Sequence, residues 1–191
     1  MISIGLPIYN GEKFLKRKLD SLLSQTFSNF ELIISDNNST DLTDQICINY
    51  AKNDNRIKYF RQEKNFGVRS NYNFVLSKAN YDFFVWTAVD DIMDKNFLEK
   101  SFDKLEKNKN LVCCMANIKL YGIKENKFNK INLFLNKFGL SFRKFNHFSL
   151  KGEYDLKIRL FLKKFPWHLF YGVYKTEILK KSPLLTISGL D

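Results

Sequence analysis

The first hundred residues switch hydrophobic period again and again, from short apolar runs to helical spacing and back, and few folds accommodate that alternation. Residues 2–6 form an apolar run stopped by Pro7, as a buried strand would. Residues 12–24 place Phe14, Leu15, Leu19, Leu22 and Leu23 on one helical face and leave Lys16, Arg17 and Lys18 largely to the other. The same reading predicts strands over 30–35, 57–60 and 83–86 and a longer one over 111–121. It predicts helices over 41–52, from Gly67 to about Ala79, and over 95–107. Strand and helix in turn, with short connections, predict an α/β chain: one Rossmann-like domain whose mostly parallel central sheet carries helices on both faces. Ligands of such sheets sit beyond the carboxyl ends of the strands. That rule singles out Pro7–Asn10, Asp36–Asn38 and Asp90–Asp91, three polar clusters expected on one edge.

After residue 122 the pattern weakens. A turn is expected at 124–126, near-helical spacing recurs at Phe134, Phe138, Phe142 and Phe145, and a helix is expected over 153–164. A strand over 169–174 and a short helix over 176–181, ended before Pro183, complete the reading. No repeat and no Gly/Ser/Pro-rich linker divides the 191 residues, so a single domain over 1–191 is expected. No stretch reaches the roughly 18–20 apolar residues of a membrane-spanning helix. The amino terminus reads as a strand and not as a signal peptide. Cys47, Cys113 and Cys114 lack CxxC spacing and read as reduced, buried thiols. Together these point to the cytoplasm. His147, His168 and Trp167 read as packing or surface residues.

The net charge of +11 is uneven. Residues 1–100 balance basic and acidic side chains, whereas 124–164 carry 11 Lys and Arg against 3 Asp and Glu, interleaved with phenylalanines. Such a surface attracts anions of any kind, so the charge identifies a face and not a ligand.

Three clusters carry chemistry, and each has two readings from its residues alone. Asp90 and Asp91, with Asp94 nearby, suit a hard divalent cation or form an acidic turn in which Asp94 caps the next helix. The run 35–41 reads as a turn with Ser39 and Asp41 as caps, or as an edge where Asp36 accepts hydrogen bonds from a base. The run 65–73 offers amides and Arg69 near a helix start, a seat for phosphate.

Taken together, IGLPIYNGEKFLKRKLDSLLSQTF, FELIISDNNSTDLT, NFGVRSNYNFVLSKA and YDFFVWTAVDDIMDKNFLEK resemble the family 2 glycosyltransferases in order, spacing and composition. The resemblance is detailed over about 2–105 and looser at 170–174 and 188–191. It implies the GT-A fold, with 1–122 as the nucleotide-sugar-binding half and 123–191 as the acceptor half. It implies that Pro7, Tyr9 and Asn10 line base and ribose, that Asp36 holds the base, and that Gly67 and Asn73 lie near the phosphates. Asn37 and Asn38 stand where the family usually has Asp and Gly, and Asn38 is kept in the nucleotide-sugar set. Asp90 matches the last acid of the Asp-x-Asp metal motif, with Asp91 beside it, while Ala88 replaces the first acid. Asp191 resembles the catalytic base of inverting members.

The implied reaction is attack by an acceptor hydroxyl on the anomeric carbon of a nucleotide-diphosphate sugar, with a divalent metal, Mg or Mn, as cofactor. The implied acceptor is a surface polysaccharide or lipid-linked glycan. The implied location is cytoplasmic, with peripheral contact at the inner membrane face through 124–164. Because Asp191 is the last residue of the sequence, a carboxyl-terminally truncated chain with weak turnover is expected. The alternatives are an inactive or truncated relative that binds nucleotide only, and a basic nucleic-acid-binding module. No nucleic acid is expected, since no RNP, zinc or helix-turn-helix pattern occurs. A nucleotidyltransferase would need a Gly-rich basic loop where this chain has Tyr9-Asn10-Gly11.

Overall fold

The computed structural model describes residues 1–115 and 172–181, all within one compact unit. In chain order these form β1 (Ile2–Ile8), α1 (Glu12–Leu23), β2 (Phe30–Asp36), α2 (Thr43–Asn53), β3 (Ile57–Arg61), α3 (Val68–Ser77), β4 (Phe83–Trp86), α4 (Phe97–Lys107), β5 (Cys113–Cys114), β6 (Val173–Lys175) and α5 (Thr176–Lys181). The strands make one six-stranded sheet in the order β3-β2-β1-β4-β6-β5. Pairs among the first four are parallel, and β6 runs antiparallel to both β4 and β5. The α/β architecture expected from the alternating periods is therefore present. The strand expected over 111–121 is confined, among described residues, to Cys113–Cys114, and that over 169–174 to Val173–Lys175. The turn at 124–126, the aromatic run and the helix over 153–164 lie outside the described residues.

Alternation along β1 decides the two faces. Ile2, Ile4, Leu6 and Ile8 join Leu15, Leu19 and Leu22 of α1, Cys47 of α2, and Leu98 and Leu105 of α4 in one buried cluster. On the other face α3 packs so closely that a β-carbon on Gly5 would fall 2.8 Å from Val75 Cγ2.

Three side chains depart from their expected places: Cys113 and Cys114, expected as buried thiols like Cys47, are only partly buried, and a lysine departs the other way. Lys18 is 1% exposed, where the helical reading put it on the solvent face with Lys16 and Arg17. The reason lies in the spacing: Leu15, Lys18, Leu19 and Leu22 follow the i, i+3, i+4, i+7 pattern, so Lys18 sits in the core stripe. The capping assignment at Asp94 also changes. Helix α4 begins at Phe97 behind Asn96, and Asp94 instead turns the chain beforehand, its carboxylate accepting the Asn96 N–H at 3.0 Å and its carbonyl the Phe97 N–H at 3.0 Å.

Candidate active site

The strand order reverses beside β1. The chain moves outward through β2 and β3, then returns to place β4 on the other side. Such a reversal opens a crevice between the connections at the carboxyl ends of the two diverging strands. Pro7 marks where it opens. Thr87 N–H bonds to Gly5 O on one side of β1, and Asn37 N–H bonds to Ile8 O on the other. Strand alternation then turns the Pro7 nitrogen toward β4, whose pairing with β1 ends at Gly5–Trp86. A residue without an N–H loses no ladder bond there.

Four connections form the rim around this crevice: three are hydrogen-bonded to one another, and the fourth packs against the first. Asn10 N–H donates to Ser39 Oγ (2.8 Å), and Thr40 N–H donates to Asn10 Oδ1 (2.9 Å). Gly11 N–H donates to Thr43 Oγ1 (2.9 Å), and Glu12 N–H to Asp41 Oδ2 (3.0 Å). Asp41 thus ties two loops together while its other oxygen accepts the Thr43 N–H (3.0 Å) at the start of α2. Asn37 reaches the third connection, donating to Asn65 Oδ1 (2.7 Å) and accepting the Phe66 N–H (3.0 Å). The fourth meets the first at Gly11, where a β-carbon would fall 2.7 Å from Ile8 Cγ2 and 3.1 Å from Val89 Cγ2. Glycine is needed at that crossing.

Asp36 closes β2 with its carboxylate fully buried. Oδ1 accepts the Ser39 N–H (2.8 Å), and Oδ2 accepts an Arg61 N–H (2.9 Å) and lies 3.1 Å from Tyr59 Oη, whose one proton it shares with Asp44 Oδ1 (2.6 Å). Arg61 continues across the loop, donating to Asn38 Oδ1 (3.2 Å) and Ser39 O (2.9 Å). Asn10 (φ 51°), Asn38 (φ 63°) and Gly67 (φ 84°) all hold positive φ on this rim. Asn tolerates the left-handed region better than most residues, and Gly67, with ψ 164°, occupies a region nearly restricted to glycine.

The sequence-predicted residues divide clearly. Tyr9, half exposed at 50%, and Asn10 lie at the mouth, with Asn38 beside them; Gly67 precedes α3; Asp90 and Asp91 are exposed beyond β4. Asn73 is exposed on α3. Asp191 lies outside the described residues. The amide that meets the strand ends is Asn71, which the sequence reading passed over. Its Nδ2 donates to Ile8 O (3.2 Å) and Ser35 O (3.1 Å), while its Oδ1, in a residue 4% exposed, has no hydrogen-bond partner. Two residues are about 200° apart around a helix, so Asn71 and Asn73 cannot share a face. Burial of Val75 and Leu76 was the signal available, since it places position 71, four before Val75, on the inner side.

Asp90 and Asp91 offer hard oxygen donors, but the described residues contain no group of three or more His, Cys, Asp or Glu able to hold a metal. Two carboxylates at an open mouth fit Mg²⁺ or Mn²⁺ completed by water and phosphate oxygens, and do not fit an all-protein cage. The free thiols offer little to a metal: burial, then Asp36, Asp44 and Asp41, push Cys47 up to about 12.

Comparison with known proteins gives these features a context. The sequence profile described as Glycosyl transferase family 2 matches residues 3–170. The chain is 33% identical over 106 residues to the glycosyltransferase GlyG of Streptococcus pneumoniae serotype 4, covering 56% of this chain and 35% of GlyG. Residues 1–349 of S. aureus TarS, solved in complex with UDP, superpose with a TM-score of 0.59 at 28% identity over 64% of this chain and 37% of that one. The mannosyltransferase PcManGT of Pyrobaculum calidifontis, solved with GDP-Man and Mn²⁺, shares the fold with a TM-score of 0.57 at 18% identity, over 68% of this chain and 37% of that one. The chain thus spans little more than a third of the length of each of these relatives.

Proposed function

This chain belongs to glycosyl transferase family 2, and on that premise we propose that it moves a sugar from a nucleotide-diphosphate donor to an acceptor hydroxyl. The observation that carries the reading is the bonded rim at the strand reversal. It joins the loops that carry Asn10, Asn38 and Gly67, and Val89, just before Asp90 and Asp91, packs at Gly11; GT-A glycosyltransferases are its neighbours in fold. TarS, at 28% identity, is solved with UDP and with UDP-GlcNAc, which supports a nucleotide-sugar ligand here.

Each group then has a part in the proposal. Tyr9 offers an exposed ring against which a base can stack. Asp36 and Asn71 are buried and act from behind the surface a nucleotide would meet, Asp36 holding Arg61 and the Ser39 N–H and Asn71 tying the ends of β1 and β2. Gly67 lets backbone approach phosphate, since no atom lies within 4 Å of where its β-carbon would stand. Asp90 and Asp91 would hold a divalent metal, Mg or Mn, which when bound neutralises the diphosphate leaving group. Asp191 would take the proton of the acceptor hydroxyl, a role worth roughly 10²–10⁴-fold, in an inverting transfer. The acceptor we propose is a surface polysaccharide or lipid-linked glycan, met at the inner face of the membrane through the basic, aromatic residues 124–164 of a cytoplasmic protein.

The test is thermal stabilisation by UDP, GDP, TDP and CMP, each with and without Mn²⁺. Ligand at about 100 times its Kd stabilises by about 2.7 kcal/mol, a readily measured shift. One nucleotide is expected to stabilise, more so with Mn²⁺, and Tyr9→Ala is expected to abolish the response. Tyr9 suits this better than the buried Asp36, whose removal would disturb the rim itself. No response to any nucleotide would sink the proposal.

A further inference from the structure

Helix α1 and the residues just past its end present a row of donors to the chain that follows β4. Ser21 Oγ donates to Met93 O (3.3 Å), Gln25 Nε2 to Asp94 O (2.8 Å), and Thr26 N–H to Lys95 O (3.0 Å). At the end of the row nearest the acidic turn, Lys18 Nζ donates to Asp91 O (3.0 Å). This last rung differs in kind, because the others are neutral and Lys18 carries a full charge into the core. Lysine is almost never wholly buried unless paired, and an ammonium held by a carbonyl loses several kcal/mol of hydration. Burial pushes Lys18 down to about 8, opposed by Asp91 and Asp90. A methionine of similar length would fill the space without that cost. Stability does not account for a lysine here.

Its surroundings do. Asp90 and Asp91 are exposed above it. Tyr72 of α3 is close enough that burial, then Asp91 and Asp90, raise its phenol. Ala88 leaves the turn without a third carboxylate to fix its shape. We propose that Lys18 is a positioning residue for the Asp90–Asp91 turn, its ammonium pinning the Asp91 carbonyl so that the two carboxylates meet a metal–diphosphate in one arrangement. The inference rests on the nucleotide-sugar reading above. It assigns to α1 a task at the diphosphate end of the crevice. The lower rungs, Ser21, Gln25 and Thr26, keep the rest of the segment in place when Lys18 is changed.

The experiment measures UDP and GDP binding by calorimetry, with and without Mn²⁺, in the full chain, in Lys18→Met and in Ser21→Ala. Lys18→Met is expected to keep metal-free affinity within about twofold and to lose about 10-fold or more of the tightening by Mn²⁺, the scale seen when a residue behind metal ligands is removed. Ser21→Ala is expected to retain that tightening. Should Lys18→Met not fold, Lys18→Gln is measured against the same threshold. Equal losses with and without Mn²⁺ would mark Lys18 as merely structural and overturn the proposal. So would tightening that survives in Lys18→Met, or wild-type binding indifferent to Mn²⁺. Wild-type protein that binds neither of these, nor TDP or CMP, would instead remove the nucleotide-sugar reading itself.

Discussion

Strands β2 and β3 carry a buried carboxylate bonded to a cation at each end, and the two ends use the same device differently. At the amino end, Glu31 Oε2 accepts from Lys58 (2.5 Å), while Oε1 accepts from Ser3 Oγ (2.6 Å) and the Asn80 N–H (2.9 Å). These partners come from β1, from β3 and from the approach to β4, so the carboxylate fastens the strand starts together. At the carboxyl end, Asp36 binds Tyr59 and Arg61 of β3 and the N–H of Ser39 in a loop, and Arg61 goes on to hold Asn38. Every positive φ among the described residues, at Asn10, Asn38 and Gly67, lies at this second end. One end satisfies its polar groups and closes; the other spends the same interactions on holding strained, exposed loops in place. Strain of that kind concentrates where a ligand is bound.

The largest expected effect tests whether the ends are separable. Glu31→Ala leaves Ser3 and Asn80 without their acceptor and Lys58 without its partner, and it is expected to lower stability by about 3 kcal/mol. Nucleotide affinity should be unchanged in the protein that remains folded. Urea midpoints and UDP or GDP titrations give the two numbers. A parallel loss of affinity would mean that the ends are mechanically one.

Gly67→Ala comes next. Its φ of 84° with ψ of 164° lies in a region that side chains avoid, at a cost of about 2 kcal/mol. Since no atom stands near the added carbon, the cost is wholly one of backbone conformation. Loss of nucleotide binding should accompany it, unlike the change at Glu31. A variant as stable as the wild type would show that the α3 entry relaxes freely, and the contrast in strain would fail.

These two residues also show what could be read before any coordinates. The four parallel strands were legible because each is a short apolar run bounded by polar clusters. The end of β2 at Asp36 followed from the same pattern, and so did the glycine before α3. What the sequence hid were side chains whose partners are distant in the chain. Lys18 sits among basic neighbours, and only its register with Leu15, Leu19 and Leu22 betrays its burial. Asn71 and Asn73 are chemically alike, and helix phase alone separates them. Asp36 suggested a free acceptor for a base, because nothing local announces that Tyr59 and Arg61 will claim it from β3.

Arg61→Met should produce a smaller stability change than the change at Glu31 or at Gly67, because the guanidinium is 37% exposed and its ion pair is screened. Nucleotide affinity is expected to fall about tenfold, equivalent to about 1.4 kcal/mol, because Asn38 and Ser39 lose the group that spans their loop. This sharpens the comparison. Lys58→Met, the matching change at the other end, should cost stability and leave affinity alone. If both variants bind nucleotide equally well, Arg61 has no share in shaping the rim.

The smallest effect is the pH dependence of the closed end. Burial works to raise the Glu31 carboxyl, but hydrogen bonds from Lys58, Ser3 and Asn80 outweigh it and hold the group below its ordinary value of 4.5. A carboxyl lowered on folding contributes stability that is fully present above 4.5 and fades as pH falls through the folded value. Wild-type protein should therefore exceed Glu31→Gln by about 1 kcal/mol at neutral pH, the margin of a charge-assisted over a neutral hydrogen bond. That margin should shrink steadily below pH 4.5. At the alkaline extreme, Lys58, raised chiefly by its hydrogen bond to Glu31, should give up its share only above 10.5. Unfolding free energies of the two proteins across this range decide the matter. A margin that stayed constant down to pH 3 would mean that the Glu31 charge contributes nothing to closing the strand starts, and that shape alone distinguishes the two ends.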